Sequence, residues 1–270
     1  MTRHAASFGR KSVPAKRGDR MNAVFQTDRG RIRSHNEDSG GVFHHNSNLC
    51  LAIVADGMGG HNAGDTASRM TIESFEKHWN ETAAGIQSPG DAMNWLKSII
   101  PVINADILIH ASTHEECSGM GTTLVAALCT EKFCTIASIG DSRCYLQSED
   151  GFSQVTEDHS LVNELVKSGE ITKEAAENHP KKNVLTRALG TDEKLAVDYR
   201  TIMFEEGDLL LLCSDGLSNK VADAQISYVL QLTDSLPAKA DTLIQMANEN
   251  GGEDNITVVI LEHCAARESG

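Results

Sequence analysis

Four aspartates are placed alike in this chain, and each offers carboxylate oxygens suited to a hard cation such as Mg²⁺ or Mn²⁺. Asp56 follows the apolar run 49–55 and opens the turn Gly57-Met58-Gly59-Gly60. Asp141 follows the run 133–139 and Gly140, and Asp215 follows the run 209–213 and Ser214. Asp254 stands before Asn255 and a last apolar run, 256–261. A short unbroken apolar run bounded by glycine or a turn is the mark of a buried strand. Each carboxylate is therefore expected at a sheet end, where solvent and ligand reach it. One such placement is commonly a turn former or cap, and for 49–64 alone a turn and a metal site are equally good readings. For Asp141 alone the turn is the commoner reading. Four in one chain are hard to ascribe to chance, although spacing alone does not bring them together.

Glu37-Asp38, in the stretch Arg33-Ser-His-Asn-Glu-Asp38, is a fifth candidate. By itself it reads as a solvated charged turn. Beside a cation cluster, Arg33 acquires a use, because a guanidinium grips phosphate through two parallel hydrogen bonds. A dinucleotide loop is excluded at Gly57-x-Gly59. The third small residue that loop requires would fall at Asn62, and Asp56 would repel a pyrophosphate. His110 and His114 lie four apart on a helical pattern and could chelate zinc, but a solvent-facing helix end is the commoner case. Ser142 and Ser218 lie outside any G-x-S-x-G elbow, and no C-x₅-R thiol loop is present.

Strands are expected at 23–28, near Val42 and Phe43, and over 49–55, 122–129, 133–139, 143–147, 195–204, 208–213 and 256–261. Amphipathic helices are expected over 66–79, 92–111 (with a kink at Pro101), 161–167, 173–178 and 237–250. Many strands are joined by short turns, so antiparallel sheets with helices added in pairs, an α+β layered domain, are expected rather than a doubly wound sheet. Residues 1–21 are basic and aperiodic and read as a disordered tail ahead of one domain, 22–264. Within that domain the charged segment 158–192 has the character of a flap or a surface insertion.

The 270 residues carry a net charge of −14. The first twenty residues hold six basic side chains against Asp19, so the remaining 250 carry −19. An acidic body argues against nucleic acid as partner and suits a cation site. No run of 18 apolar residues occurs and the basic N-terminus lacks an apolar core, so neither a membrane span nor a secretory signal is expected. The seven cysteines form no C-x-x-C and several lie in apolar runs, which points to free thiols and a reducing, cytoplasmic setting.

Taken in order, seven stretches spanning about residues 22–262 resemble the metal-dependent Ser/Thr protein phosphatases of the PP2C (PPM) family, in their compact bacterial form. They are Thr27-Asp28-x-Gly30 with Arg33 and Asn36-Glu37-Asp38; Ala55-Asp56-Gly57-Met58-Gly59-Gly60-His61; Gly119-Met120-Gly121-Thr122-Thr123; Gly140-Asp141-Ser142-Arg143; Leu185-Thr186-Arg187-Ala188-Leu189-Gly190; Cys213-Ser214-Asp215-Gly216-Leu217-Ser218; and Glu253-Asp254-Asn255-Ile256-Thr257. The resemblance implies a four-layer α/β/β/α sandwich with a Mn²⁺ or Mg²⁺ pair at one end. It implies that Asp56 bridges both cations, that the Gly57 carbonyl binds one and that Asp215 and Asp254 bind the other. Glu37 and Asp38 act through water, and Asp141 belongs to a third, weaker cation site. Arg33 holds the substrate phosphate, and 158–192 is the variable flap.

The chemistry implied is hydrolysis of phosphoserine and phosphothreonine in phosphoproteins. A hydroxide shared by two cations attacks phosphorus directly, and the cations and Arg33 neutralise the phosphoryl oxygens. Animal members carry a histidine just after the bridging Asp-Gly. Here Met58 stands there, which leaves His61 or a metal-bound water as the acid for the leaving group. Implied partners are targets of a Ser/Thr kinase, met by a monomer. Alternatives are a silent phospho-reader or scaffold on the same fold, against which the intact Asp56, Asp215 and Asp254 argue, a metal phosphodiesterase, and the superfamily branch acting on regulators of sigma factors, both disfavoured by Arg33.

Overall fold

The computed structural model describes residues 11–13, 21–46, 48–59 and 63–264. In chain order the elements are β1 (Lys11–Val13), β2 (Met21–Asp28), β3 (Asp38–Asn46), β4 (Leu49–Met58), α1 (Ala63–Thr82), α2 (Pro89–Thr113), β5 (Gly121–Thr122), β6 (Leu124–Thr130), β7 (Phe133–Ile139), β8 (Arg143–Ser148) and β9 (Gly151–Gln154). There follow α3 (Leu161–Lys167), α4 (Lys173–Glu177), β10 (Asp198–Met203), β11 (Leu209–Cys213), α5 (Asp215–Ser218), α6 (Asp223–Gln231), α7 (Leu236–Glu249) and β12 (Ile256–His263).

The strands form two antiparallel sheets, ordered β1-β2-β12-β11-β8-β9 and β10-β7-β6-β4-β3, with β5 on the end of β4. Side chains alternate across a strand, and here both faces are covered, so the central strands read as unbroken apolar runs. In β4, Leu51 and Ile53 face the helices α1 and α2, while Cys50, Ala52 and Val54 face the other sheet. In β11, Leu210 and Leu212 face between the sheets, while Leu209, Leu211 and Cys213 face α6 and α7. Three apolar cores therefore separate four layers, the expected α/β/β/α sandwich.

The helices are built to cover these faces. Thr71, Phe75 and Trp79 recur every four residues on α1 and are buried. Trp79 meets the α2 residue Trp95 edge-on, ring centroids 5.5 Å apart. α2 starts at a capping box, Ser88 accepting from the Asp91 amide and Asp91 accepting in return, with Pro89 in the first turn. It continues unbroken through Pro101, where a kink was expected. By length and composition α2 is apolar enough to cross a membrane. Ala92, Leu96, Ile100, Ile103 and Ile107 are nevertheless buried in the core against α1 and the sheet.

The structure departs from expectation elsewhere too. Of the expected disordered tail 1–21, Lys11–Val13 pairs antiparallel with Ala23–Phe25 of β2 and Met21 opens β2 opposite His263, the remainder lying outside the described residues. The helix α6 and strand β9 were not expected. Cys129 and Cys134, expected as thiols, are register partners across the β6–β7 hairpin and form a disulfide. Cys117, Cys144 and Cys213 stay buried as thiols. His110 and His114 stack at 3.9 Å at the end of α2, where the His114 ring nitrogen Nδ1 meets the His110 carbonyl at 3.1 Å.

Candidate metal centre

The antiparallel register brings the candidate carboxylates to one end of the sandwich. Asp38 opens β3 and is the cross-strand partner of Asp56 near the end of β4. Asp141 lies in the β7–β8 turn, Asp215 opens the short helix after β11, and Asp254 precedes β12. Proximity shows in their electrostatics, because Asp56 is repelled by Asp38, Asp215, Asp141 and Asp254 together. Convergence, which spacing could not supply, is thus a property of the fold.

Backbone and hydroxyl groups hold the set in place. The Asp56 amide donates to Thr123 Oγ1 at 2.9 Å, and Thr123 Oγ1 meets Ser142 Oγ at 2.7 Å, beside Asp141. Thr122 Oγ1 donates back to the Asp56 carbonyl at 2.9 Å. Ser214 sits beside β12, accepting from the Thr257 amide at 3.0 Å, and its hydroxyl donates to Asp38 Oδ2 at 2.7 Å. That one hydroxyl ties the two sheets together under the site. Asn255 does the same for the loops. Its Nδ2 donates to the Arg29 and His35 carbonyls, and its Oδ1 accepts from the Glu37 amide at 2.8 Å. Gly57 is packed so closely that a Cβ there would collide with the carbonyl oxygens of Gly64 and Glu37. Only glycine admits that approach.

At this end of the sandwich two buried carboxylate oxygens have no hydrogen-bond donor within reach, Asp38 Oδ1 and Asp215 Oδ1. Burial, with repulsion from Asp215 and Asp254, pushes the Asp38 carboxyl up to about 7 against the pull of the Ser214 and Thr257 hydroxyls. Burial, with repulsion from Asp215 and Asp158, pushes Asp141 up to about 8. Burial and the charge of Asp254 raise Asp215 to about 6, and burial raises Asp56 well above the ordinary carboxylate range. Burying unpaired carboxylates together is costly unless cations or protons neutralise them. Orphaned oxygens, an all-oxygen donor set and concentrated negative charge therefore fit hard divalent cations. Among the described residues no three acidic, histidine or cysteine side chains stand in a ready-made coordinating geometry, so cation binding requires side-chain adjustment.

Asp254 instead holds Arg33, whose Nη2 donates to Asp254 Oδ2 at 2.8 Å. The Arg33 side chain is 48% exposed. An exposed pair contributes at most about 1 kcal/mol, so the guanidinium can exchange Asp254 for a phosphate at small cost. Glu37 is half-buried, and burial raises its carboxyl despite Arg33 nearby. His61 lies outside the described residues. The roles of Ser214, Asn255, Thr123 and Ser142 were not assigned from sequence. All four lie in the stretches that carry the resemblance, and Ser214, Asn255 and Ser142 stand directly beside Asp215, Asp254 and Asp141; that adjacency was the available signal.

From Asp141 and Asp215 an open groove of about 1090 Å³ runs out between α3–α4 and the start of α6, lined among others by Asn163, Lys173, Lys182 and Ser218. Arg143 at its wall forms a forked pair with Asp158, Nη2 to Oδ2 at 2.7 Å and Nε to Oδ1 at 2.9 Å.

The family model described as Protein phosphatase 2C matches residues 27–257. The serine/threonine phosphatase stp of Listeria innocua is 50% identical over 242 residues, 90% of this chain and 96% of that protein. Among solved structures, the serine/threonine phosphatase Stp1 from Staphylococcus aureus superposes with a TM-score of 0.84 at 38% identity, covering 91% of this chain and 96% of that one. The catalytic domain of the serine/threonine phosphatase PstP in complex with two manganese ions gives a TM-score of 0.79 at 33% identity, covering 91% and 99%.

Proposed function

The chain belongs to the protein phosphatase 2C family, and from that premise we propose how its own residues hydrolyse phosphoserine and phosphothreonine in phosphoproteins. It is a serine/threonine protein phosphatase that depends on divalent metal. The observation that carries the mechanism is the convergence of Asp38, Asp56, Asp141, Asp215 and Asp254, with buried, unpaired oxygens on Asp38 and Asp215.

Asp56, Asp215 and Asp254, with the Gly57 carbonyl, would hold two Mn²⁺ or Mg²⁺ ions, Glu37 and Asp38 would act through water, and Asp141 with Asp215 would serve a third, weaker site. Bound there, such ions supply a nucleophilic water at neutral pH and a sink for phosphoryl charge. Cations there would take the place of the protons that burial favours on these carboxylates. Ser214 keeps Asp38 aimed at the site throughout, and Thr123 and Thr122 fix the backbone of Asp56. Arg33 leaves Asp254 and grips the substrate phosphate, fixing phosphorus over the acidic floor. The peptide on either side of the phosphoresidue has room in the groove between α3–α4 and α6. The opposing enzyme is a Ser/Thr kinase, the working unit a monomer, and the setting cytoplasmic, five of the seven cysteines being thiols although Cys129 and Cys134 are paired.

The test is hydrolysis of p-nitrophenyl phosphate with and without Mn²⁺, followed by a panel of phosphoserine, phosphothreonine and phosphotyrosine peptides. Manganese-dependent release from the first two supports the reading. Release from phosphotyrosine alone, or none from any substrate with Mn²⁺ bound, would overturn it.

A further inference from the structure

His159 opens the flap segment and is buried, 1% exposed, yet it lies outside every motif assigned to the site. Its contacts reach the site through one residue, Gly140, which stands immediately before Asp141. The Gly140 amide donates to His159 Nδ1 at 3.1 Å, and the His159 amide donates to the Gly140 carbonyl at 2.8 Å. The flap base is fastened at the same point, since the Thr186 amide donates to the His159 carbonyl at 2.9 Å and Ser160 bridges Leu185.

The far side of the ring is equally constrained. Nδ1 accepts from a peptide N–H and therefore carries no proton, so the proton is on Nε2. Nε2 then donates to Asp198 Oδ2 at 3.2 Å. The Arg187 guanidinium lies 3.3 Å from the same nitrogen, held there by Asp198 Oδ1 at 3.2 Å. Asp198 thus accepts from ring and guanidinium at once, fixing both tautomer and ring plane. Gly140 has φ +99°, in the left-handed region, and a Cβ there would press into Thr123. The turn bearing Asp141 is therefore close-packed on one side and hydrogen-bonded to His159 on the other.

We propose that His159, oriented by Asp198 and Arg187, is a positioning residue that fixes the Gly140–Asp141 turn so that Asp141 can hold the weak third cation. This rests on the reading of Asp141 as a ligand of that cation. Groups that orient a metal ligand typically change affinity by about 10- to 100-fold when lost. The network also joins Asp141 to the flap base, so that flap and third site are set by one ring.

The test is calorimetric Mn²⁺ titration of the full chain, run alongside phosphopeptide turnover and thermal melting, for wild type and Asp141→Ala, His159→Phe, His159→Asn and Asp198→Ala. Asparagine keeps an acceptor one bond from Cγ, where Nδ1 stands, and phenylalanine keeps only the ring shape. The expected result is two tight sites in all five proteins. A third site is present in wild type, weakened at least tenfold in His159→Phe, largely restored in His159→Asn and weakened to a lesser degree in Asp198→Ala. Turnover should follow the third site, with KM little changed. A folded His159→Phe with wild-type third-site affinity would overturn the inference, whatever its melting point, and so would an Asn variant as impaired as the Phe variant. If His159→Phe does not fold, Asp198→Ala decides, and unchanged third-site affinity there overturns the role. A wild type with only two sites, matched by Asp141→Ala, would remove the Asp141 reading itself and the inference with it.

Discussion

Asp38→Asn should stabilise the metal-free protein at neutral and alkaline pH while impairing turnover. Asp38 is buried, with one oxygen accepting from Ser214 and the other unpaired. An asparagine keeps an acceptor for Ser214 and places an N–H₂ donor where the orphan oxygen faces its acidic neighbours. The sign follows from proton linkage. Below about pH 4 the carboxyl is protonated folded and unfolded, and it contributes nothing. Between about 4 and 7 the fold holds a proton that the unfolded chain has released, so stability falls as pH rises. Above about 7 the carboxylate stays ionised inside the fold at full cost. Moving its titration from 3.8 to about 7 corresponds to about 4 kcal/mol, at about 1.4 kcal/mol per pH unit. For a domain of this size that is roughly 10 °C in Tm. Asp215, raised to about 6, and Asp141, raised to about 8, carry the same trend to about pH 8. The assay is scanning calorimetry in excess EDTA at pH 5, 6, 7 and 8, repeated with Mn²⁺. Wild-type Tm should fall across the series and recover with Mn²⁺ most strongly at pH 8. The variant should melt higher than wild type at pH 8, with a shallower pH dependence. A wild-type Tm flat from pH 5 to 8, or a variant no more stable than wild type at pH 8, would refute the reasoning.

Three further outcomes are expected. Asp56→Ala and Asp254→Ala should each abolish turnover while near-native circular dichroism persists, because neither side chain supplies apolar packing; wild-type-like rates in either purified variant would remove that residue from the centre. Arg33→Ala should raise KM with kcat little changed and weaken inhibition by free phosphate in parallel, as loss of equal grip on ground and transition states requires. Trp79→Ala, by contrast, should cost about 3–5 kcal/mol in denaturant unfolding, since Trp79 is 1% exposed and packed on Trp95; a loss under 1 kcal/mol would contradict the core described for α1 and α2.

The acidic residues were legible because each of the four aspartates flanks a run whose two buried faces leave few polar positions and no charged ones, as in Leu49 to Ala55. Layer order was legible for the same reason, together with turn signals such as Asp150-Gly151 between β8 and β9. What holds the site was not. Ser214 reaches Asp38 across 176 residues and Asn255 reaches Arg29 across 226, and no local period records such bonds. His159 read as one flap residue among charged neighbours, because its partners Gly140 and Asp198 are 19 and 39 residues away. The helix α6 is preceded at its cap position by Ala222, whose side chain offers no cap oxygen, so its usual N-terminal signal is missing. Cys129 and Cys134 read as two buried thiols until hairpin register set them opposite one another.

The most direct measurement is phosphate release from a phosphothreonine peptide by EDTA-stripped protein as Mn²⁺ is added back, with occupancy followed by calorimetry in the same buffer. The expected result is no release from the stripped protein and a rate that rises as the two tight sites fill, with Ca²⁺ a poorer substitute. Full turnover in excess chelator, or two filled sites with no turnover, would contradict the assignment of this acidic centre to metal-dependent phosphate ester hydrolysis.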